Sequence, residues 1–284
     1  MADIAHILVG TDLTDRSERA LERAIDLWRR TSAQSLTALH VVDDGLPAEV
    51  LAQQQAAAEA FLATRLAEPR SAPSPATVDV CVRLGAAFST IVGEAIKVRA
   101  DLIVIGAPRR QAYSDIFMST TAERVIRFSD RPVLMVKQAA REPYRRVLAA
   151  FDGSEGATRA LQMALALAPD ADLRVVHAWW PPRGPLAEIE AVRQAIAHEN
   201  QRLRTLVGDT VTRAIAGLDG QLAKLTIDMM EANPYVAITN ASSWADLLVI
   251  GTHSKGRLAS TTTTGSLARH LLIESSCDLL VSRP

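Results

Sequence analysis

Cysteine is scarce in this chain. Cys81 and Cys277 are the only two in 284 residues, and they form no Cys-x-x-Cys pair. That excludes a disulfide framework or a cysteine-rich zinc site as the organising principle, and it fits a reducing, cytoplasmic setting. Net charge is scarce too: 31 Lys and Arg face 32 Asp and Glu, leaving −1. No global field favours nucleic acid or an anionic membrane. The basic runs stop at two residues, as in Arg29-Arg30, Arg109-Arg110 and Arg145-Arg146, and read as helix ends and turns. No uninterrupted apolar stretch reaches the ~18 residues of a membrane span. Residues 4–9 already read as a strand, with no charged-then-apolar leader before it, so an export signal is not expected.

Several catalytic signatures are missing as well. There is no Gly-x-x-x-x-Gly-Lys-Ser/Thr phosphate loop and no dinucleotide fingerprint after the first strand. There is no Gly-x-Ser-x-Gly elbow. The Ser-Gly-Gly-x-Asp-Ser run of PP-loop ATPases is absent from the first loops, which read TDLTDR and FDGSEG. The six histidines (6, 40, 177, 198, 253 and 270) show no metal-ligand spacing on one helix face.

What is there is a repeat. HILVGTDLTDRSERAL (residues 6–21) returns as RVLAAFDGSEGATRAL (146–161), so that Leu8 meets Leu148, Asp12 meets Asp152 and Thr14 meets Ser154. LTALHVV (36–42) returns as LRVVHAW (173–179), pairing His40 with His177. ADLIVIG (100–106) returns as ADLLVIG (245–251), and RPVLMV (131–136) as CDLLVS (277–282). Four blocks in the same order predict two copies of one domain, 1–138 and 144–284, joined by the linker 138–143.

Each copy alternates short apolar strands with amphipathic helices. Strands are expected near 4–10, 36–42, 77–84, 101–106 and 132–136, then 146–151, 173–178, 222–229, 246–250 and 278–282. They are short, apolar and rich in Val, Ile and Leu without clean alternation, as strands buried on both faces of a parallel sheet are. The stripe Ala20, Leu21, Ala24, Ile25 and Trp28 predicts a helix over 17–30. Helices follow over 50–66, with Leu51, Ala58, Phe61, Leu62 and Leu66 inward, and over 89–99 and 121–128. The stretch 186–216 reads as a longer helix with a break. Pro69–Pro75 reads as a loop inside the first copy. The expected fold is α/β: two tandem, open-twisted, five-stranded parallel sheets with helices on both faces, Rossmann-like in plan.

In such sheets ligands bind beyond the C-terminal strand ends, where the strand order reverses. Three loops matter in each copy: after Asp12 or Asp152, after His40 or His177, and after Gly106 or Gly251. The last is the richest. GTHSKGRLASTTTTGSLARHLL (251–272) sets Gly265-Ser266 at the start of a helix, where free N–H groups and the helix dipole favour an anion. Capping alone also accounts for Thr264 or Ser266. His253, Lys255 and Arg257 lie in the same loop. His40 and His177, ending matching strands, are expected to bond to neighbouring backbone rather than to act in catalysis. The WWPP run at 179–182 is open to packing, a base or a partner.

These residues resemble the universal stress protein family in its tandem form, over essentially the whole chain. The resemblance implies an adenine nucleotide α-hydrolase-like fold. In that family a loop of Gly, two residues, Gly, nine residues, Gly and then Ser or Thr holds the ribose and phosphates of ATP. The family's strand-1 Asp and the backbone at the end of strand 2 lie by the adenine. Carried over, the second copy supplies Asp152, Ala178, Gly251, His253, Ser254, Gly256, Gly265 and Ser266. Ser254 stands where a glycine is usual, and ten residues rather than nine separate it from Gly265. The first copy offers a secondary set, Asp12, Gly106, Ser119 and Thr120, with Arg109 in place of the second glycine. The resemblance thus implies a stress-response protein that binds ATP, with or without magnesium, mainly in its second copy. No positioned base or metal carboxylate pair is visible, so hydrolysis is at most slow. A scaffold that binds no nucleotide and acts by dimerising is the alternative. Edge-to-edge pairing of the copies through 133–136 and 279–282, and a homodimer of chains, are also implied.

Overall fold

The end of the first strand of each copy, the turn after it and the helix that follows set that copy's geometry. A computed structural model of the chain describes residues 4–31, 33–67, 77–108, 120–180, 185, 189–215, 224–252 and 266–283. Two compact units meet in sequence between Pro143 and Tyr144. The first runs β1 (His6–Thr11), α1 (Asp15–Arg30), β2 (Ser35–Val42), α2 (Ala48–Leu66), β3 (Thr77–Leu84), α3 (Ala87–Lys97), β4 (Leu102–Gly106), α4 (Thr121–Phe128) and β5 (Val133–Val136). The second runs β6 (Arg146–Ala150), α5 (Glu155–Leu167), β7 (Asp172–Trp179), α6 (Glu190–Ile215), β8 (Lys224–Glu231), α7 (Pro234–Ser242), β9 (Leu247–Gly251), α8 (Ser266–Glu274) and β10 (Asp278–Ser282).

Within the first unit the strand order is β3-β2-β1-β4-β5, all parallel. Within the second it is β8-β7-β6-β9-β10, again all parallel. Right-handed crossovers then send α1 and α2 to one face and α3 and α4 to the other. The order reverses between β1 and β4, and between β6 and β9. Those central strands are the driest part of each sheet: Leu8, Val9, Leu102 and Val104 are fully buried, as are Leu148, Leu247 and Leu248.

A carboxylate repeats at the base of each reversal point. Asp101 accepts from the Ala5 and His6 amides at 2.9 Å each. Asp246 accepts from the Arg145 and Arg146 amides at 3.1 and 3.0 Å. Each staples the start of the first strand to the residue before the fourth, satisfying backbone donors that the ladder leaves over.

Three expectations need correction. The helix expected over 186–216 with a break is one continuous helix, Glu190–Ile215, held by the fully buried Leu203 and Val207. Phe61 is not on the inward side of α2; it is 47% exposed. The less exposed positions of α2 are Leu51, Gln55, Ala58, Leu62, Arg65 and Leu66, so Leu51, Ala58, Leu62 and Leu66 lie on the expected side and Phe61 alone falls outside it. Arg65 takes its inward place because it bonds Glu18 and Glu22 of α1. The expected strand near 222–229 is Lys224–Glu231.

Glycine sets how closely α5 lies on β9. A Cβ on Gly251 would fall inside the backbone of Gly156 and Ala157, and one on Gly156 would meet the Thr252 carbonyl at 2.8 Å. A Cβ on Gly106 would meet the Arg16 carbonyl at 3.0 Å. Gly251→Ala is therefore expected to destabilise the second unit by about 3 kcal/mol through overpacking. Gly106→Ala should cost less, and chemical denaturation of both variants checks the order.

Candidate functional site

The turn after the first strand is built alike in both units. Asp12 Oδ1 accepts from the Thr14 amide at 3.1 Å and from its hydroxyl at 2.6 Å. Asp152 Oδ1 accepts from the Ser154 amide at 3.0 Å, and the Ser154 hydroxyl caps α5 by accepting from the Ala157 amide at 3.1 Å. Both aspartates thus shape a turn beside the reversal point. Partial burial pushes the Asp12 carboxyl up, but the Thr14 and Ser17 hydroxyls and the Thr14 amide together hold it below its ordinary value.

The two strand-end histidines do what their repetition suggested. His40 Nδ1 donates to the Thr11 carbonyl at 2.9 Å, and His177 Nδ1 donates to the Phe151 carbonyl at 2.8 Å. A carbonyl only accepts, so the proton sits on Nδ1 in both rings. Each histidine ties the end of the second strand to the turn after the first. Ala178 follows His177 inside β7, half-buried and in register with Met230 of β8.

From this shared frame the copies diverge. The residue after the turn aspartate is left-handed in both, Leu13 at φ 61° and Gly153 at φ 76°. Glycine adopts that backbone freely; leucine is strained there. Leu13 packs against the cluster of Val42, Ala58 and Val82. In the second unit α6 comes in instead: a Cβ on Gly153 would meet Leu203 Cδ2 at 2.6 Å and Arg202 Nη2 at 3.2 Å. Arg202 holds both oxygens of Glu199 at 2.6 and 2.7 Å. That ion pair therefore lies on the Asp152 turn, fifty residues away in sequence, and no local motif announced it.

The loop after the fourth strand differs most. Arg16 Nη1 donates to the Pro108 carbonyl at 2.6 Å, bridging α1 to the base of that loop in the first unit. The matching residue in the second unit is Gly156, which has no side chain to bridge with. Thr120 closes the N-terminus of α4 in a capping box: its hydroxyl accepts from the Glu123 amide, and Glu123 Oε2 accepts from the Thr120 amide, both at 3.2 Å. Matching α8 to α4 by their buried residues pairs Ala122 with Ala268, Val125 with Leu271 and Ile126 with Leu272. Ser266 then meets Thr120, and Arg269 meets Glu123. Glu123 of α4 thus has Arg269, an exposed residue near the start of α8, as its counterpart. The sequence reading passed over Arg269, whose signal was this exchange of charge between copies.

Of the expected site residues, Asp152, Ala178 and Gly251 lie at the C-terminal ends of β6, β7 and β9, and Ser266 begins α8. Asp12, Gly106 and Thr120 hold the matching places in the first unit. Ser119, His253, Ser254, Gly256 and Gly265 lie outside the described residues, as do Arg109, Lys255 and Arg257. Among the described residues no group of three His, Cys, Asp or Glu side chains is placed to hold a metal ion.

The model of the universal stress protein family matches residues 4–137 and again 143–283. The chain belongs to the universal stress protein family. A universal stress protein of Methanocaldococcus jannaschii is 31% identical over 143 residues, covering 48% of this chain and 84% of that protein. One from Thermus aquaticus is 31% identical over 144 residues, covering 49% of this chain and 99% of that protein. The crystal structure of a universal stress protein from Archaeoglobus fulgidus matches with a TM-score of 0.68 at 17% identity, over 98% of both chains. A likeness at that identity shows the fold, which here is the adenine nucleotide α-hydrolase-like α/β fold in two tandem family domains. No helix among the described residues is long and apolar enough to cross a membrane.

Two measurements follow from this tandem universal stress protein's turns. A left-handed leucine costs roughly 1–2 kcal/mol, close to what half-burying its side chain returns. Leu13→Gly should therefore lie within about 1 kcal/mol of wild type, whereas Leu13→Ala, which keeps the strain and loses the packing, should be the less stable of the two. For Asp12, a folded carboxyl that titrates below the unfolded one gives stability that is full above the ordinary Asp range and is lost as pH falls through the folded value. Asp12→Asn should thus be less stable than wild type at pH 7, with the gap closing in urea titrations at falling pH. A gap that stays constant with pH refutes the assignment.

Proposed function

We propose that this universal stress protein binds ATP or a related adenine nucleotide in its second unit, as a ligand or signal in a cytoplasmic stress response. One observation carries the reading: the capping carboxylate Glu123 of α4 has Arg269 as its counterpart on α8. A helix N-terminus closed by its own glutamate has two of its donors engaged and carries a charge that repels an anion. One bearing an arginine, with Ser266 and Gly265 at its start, suits phosphate. The residues therefore fit a nucleotide in the second unit. Ser266 and Arg269 would face the phosphates, with Asp152 and the backbone near Ala178 toward the base and ribose. Magnesium would arrive with the triphosphate. In the first unit, Leu13, the Arg16 bridge and the Thr120–Glu123 box fill or close the same places. We read that copy as a support without nucleotide.

The same closures favour a second reading, a dimerising scaffold that uses no nucleotide in either copy. Equilibrium binding of a fluorescent ATP analogue with magnesium separates the two. The expected result is saturable binding that Gly265→Val abolishes and Arg269→Glu weakens at least tenfold, about 1.4 kcal/mol. Glu123→Gln should leave it unchanged. Absence of saturable binding, with an apo mass for the freshly purified protein in native mass spectrometry, establishes the scaffold reading instead.

A further inference from the structure

Away from the strand-reversal point, the second unit has an open groove between α7 and the edge strand β8, of about 480 Å³. Its floor is Met230 and Ala232; its far wall is the α7 stripe Val236, Ala237, Asn240 and Ala241. Arg174 reaches in from β7. The same place in the first unit is filled. Strand register and helix start align Arg83 with Met230 and Glu94 with Ala241. Glu94 is buried there, its side chain 4% exposed, and receives Arg83 Nε at 3.0 Å and Lys97 Nζ at 2.6 Å. Burial pushes its carboxyl up, but those two donors outweigh it and hold it below its ordinary value. In the second unit the carboxylate has become a methyl group and its partner arginine a methionine. The cation comes from a neighbouring strand, where the first unit has Thr37.

Arg174 spends only one edge of its guanidinium. Nε donates to Asp228 Oδ2 at 2.6 Å, and the side chain keeps 33% exposure. No hydrogen bond among the described residues engages its two terminal nitrogens. Asn233 uses its carbonyl oxygen on the Tyr235 amide at 3.0 Å, leaving its NH2 as a donor at the groove's end. Asn240 adds a second side-chain amide on the exposed rim. Among the described residues no acidic side chain lines the groove, and Asp228, which bonds Arg174 Nε, is not part of its lining. The donor set is thus one guanidinium fork and two amides over an apolar floor. A fork of that kind pairs best with a planar carboxylate, and the volume is that of a small-molecule site.

We propose that this groove is a second ligand site, for a small organic carboxylate with an apolar body, whose carboxylate takes the place that Glu94 fills in the first unit. The site is independent of the nucleotide reading, being one strand removed from β6 and sharing no residue with it. The test uses the full chain and 4-phenylbutyrate as probe, followed by amide chemical shifts in NMR. Saturable shifts are expected at Asn233, Asn240 and Ala241, in the presence or absence of nucleotide. Arg174→Met should weaken binding at least tenfold. Ala241→Glu, which supplies a carboxylate from the protein itself, should abolish it while leaving the melting temperature within a few degrees of wild type. Equal binding of neutral 4-phenylbutyramide, equal binding of inorganic phosphate, or indifference of the probe to Ala241→Glu would overturn the proposal.

Discussion

The contact on which each unit depends is between backbones, where the first turn of the first helix lies on the last residue of the fourth strand. At Gly251 the chain of Gly156 and Ala157 comes in so close that no side-chain carbon fits between them. At Gly106 the Arg16–Ser17 backbone does the same less tightly. This approach places the capped start of α1 or α5, the turn aspartate and the end of β4 or β9 around one small space. The His40 and His177 bonds then pull the second strand's end onto the same turn. The described walls of this space are strand ends, a helix start and the turn held by Asp12 or Asp152. The glycines that looked like ligand contacts are therefore already required by packing, and their presence in both units says little about which one binds.

Discrimination comes from the side chains that line the shared frame. The first unit satisfies itself repeatedly: Leu13 packs into its own core cluster, Arg16 ties the loop base, Glu123 closes a helix end, and Glu94 buries a carboxylate between two cations. The second unit has Gly153, Gly156, Arg269 and Ala241 at those positions. Of these, Gly156 and Ala241 remove a side chain and Arg269 reverses a charge, while at Gly153 Leu203 and Arg202 of α6 occupy the space instead. Self-satisfied groups stabilise the fold without any partner.

Much of the fold was legible in the chain itself. Apolar runs such as LLVIG (247–251) name central parallel strands, because a strand covered on both faces can be apolar at every position. The stripe from Ala20 to Trp28 names a helix face, and all five of its residues are buried. Legibility failed where a residue's partner is distant. Phe61 looked like core, but Arg65 took the inward position through acidic residues on α1, more than forty positions earlier. The α6 helix seemed broken because its first half has little apolar content, yet Leu203 and Val207 anchor the remainder firmly enough to carry it.

The sequence by itself determined the duplication, the parallel α/β plan and the family, because period, strand composition and motif order are local and survive in one dimension. It also placed Asp152, His177 and Gly251 at strand ends. Only the tertiary structure decided what surrounds them: that Arg202 lies over Gly153, and that Ala241 opens what Glu94 fills. Those relations hold between residues on different elements. They arise from which side chains a parallel register and two crossing helices bring to one point, and no window along the chain contains them.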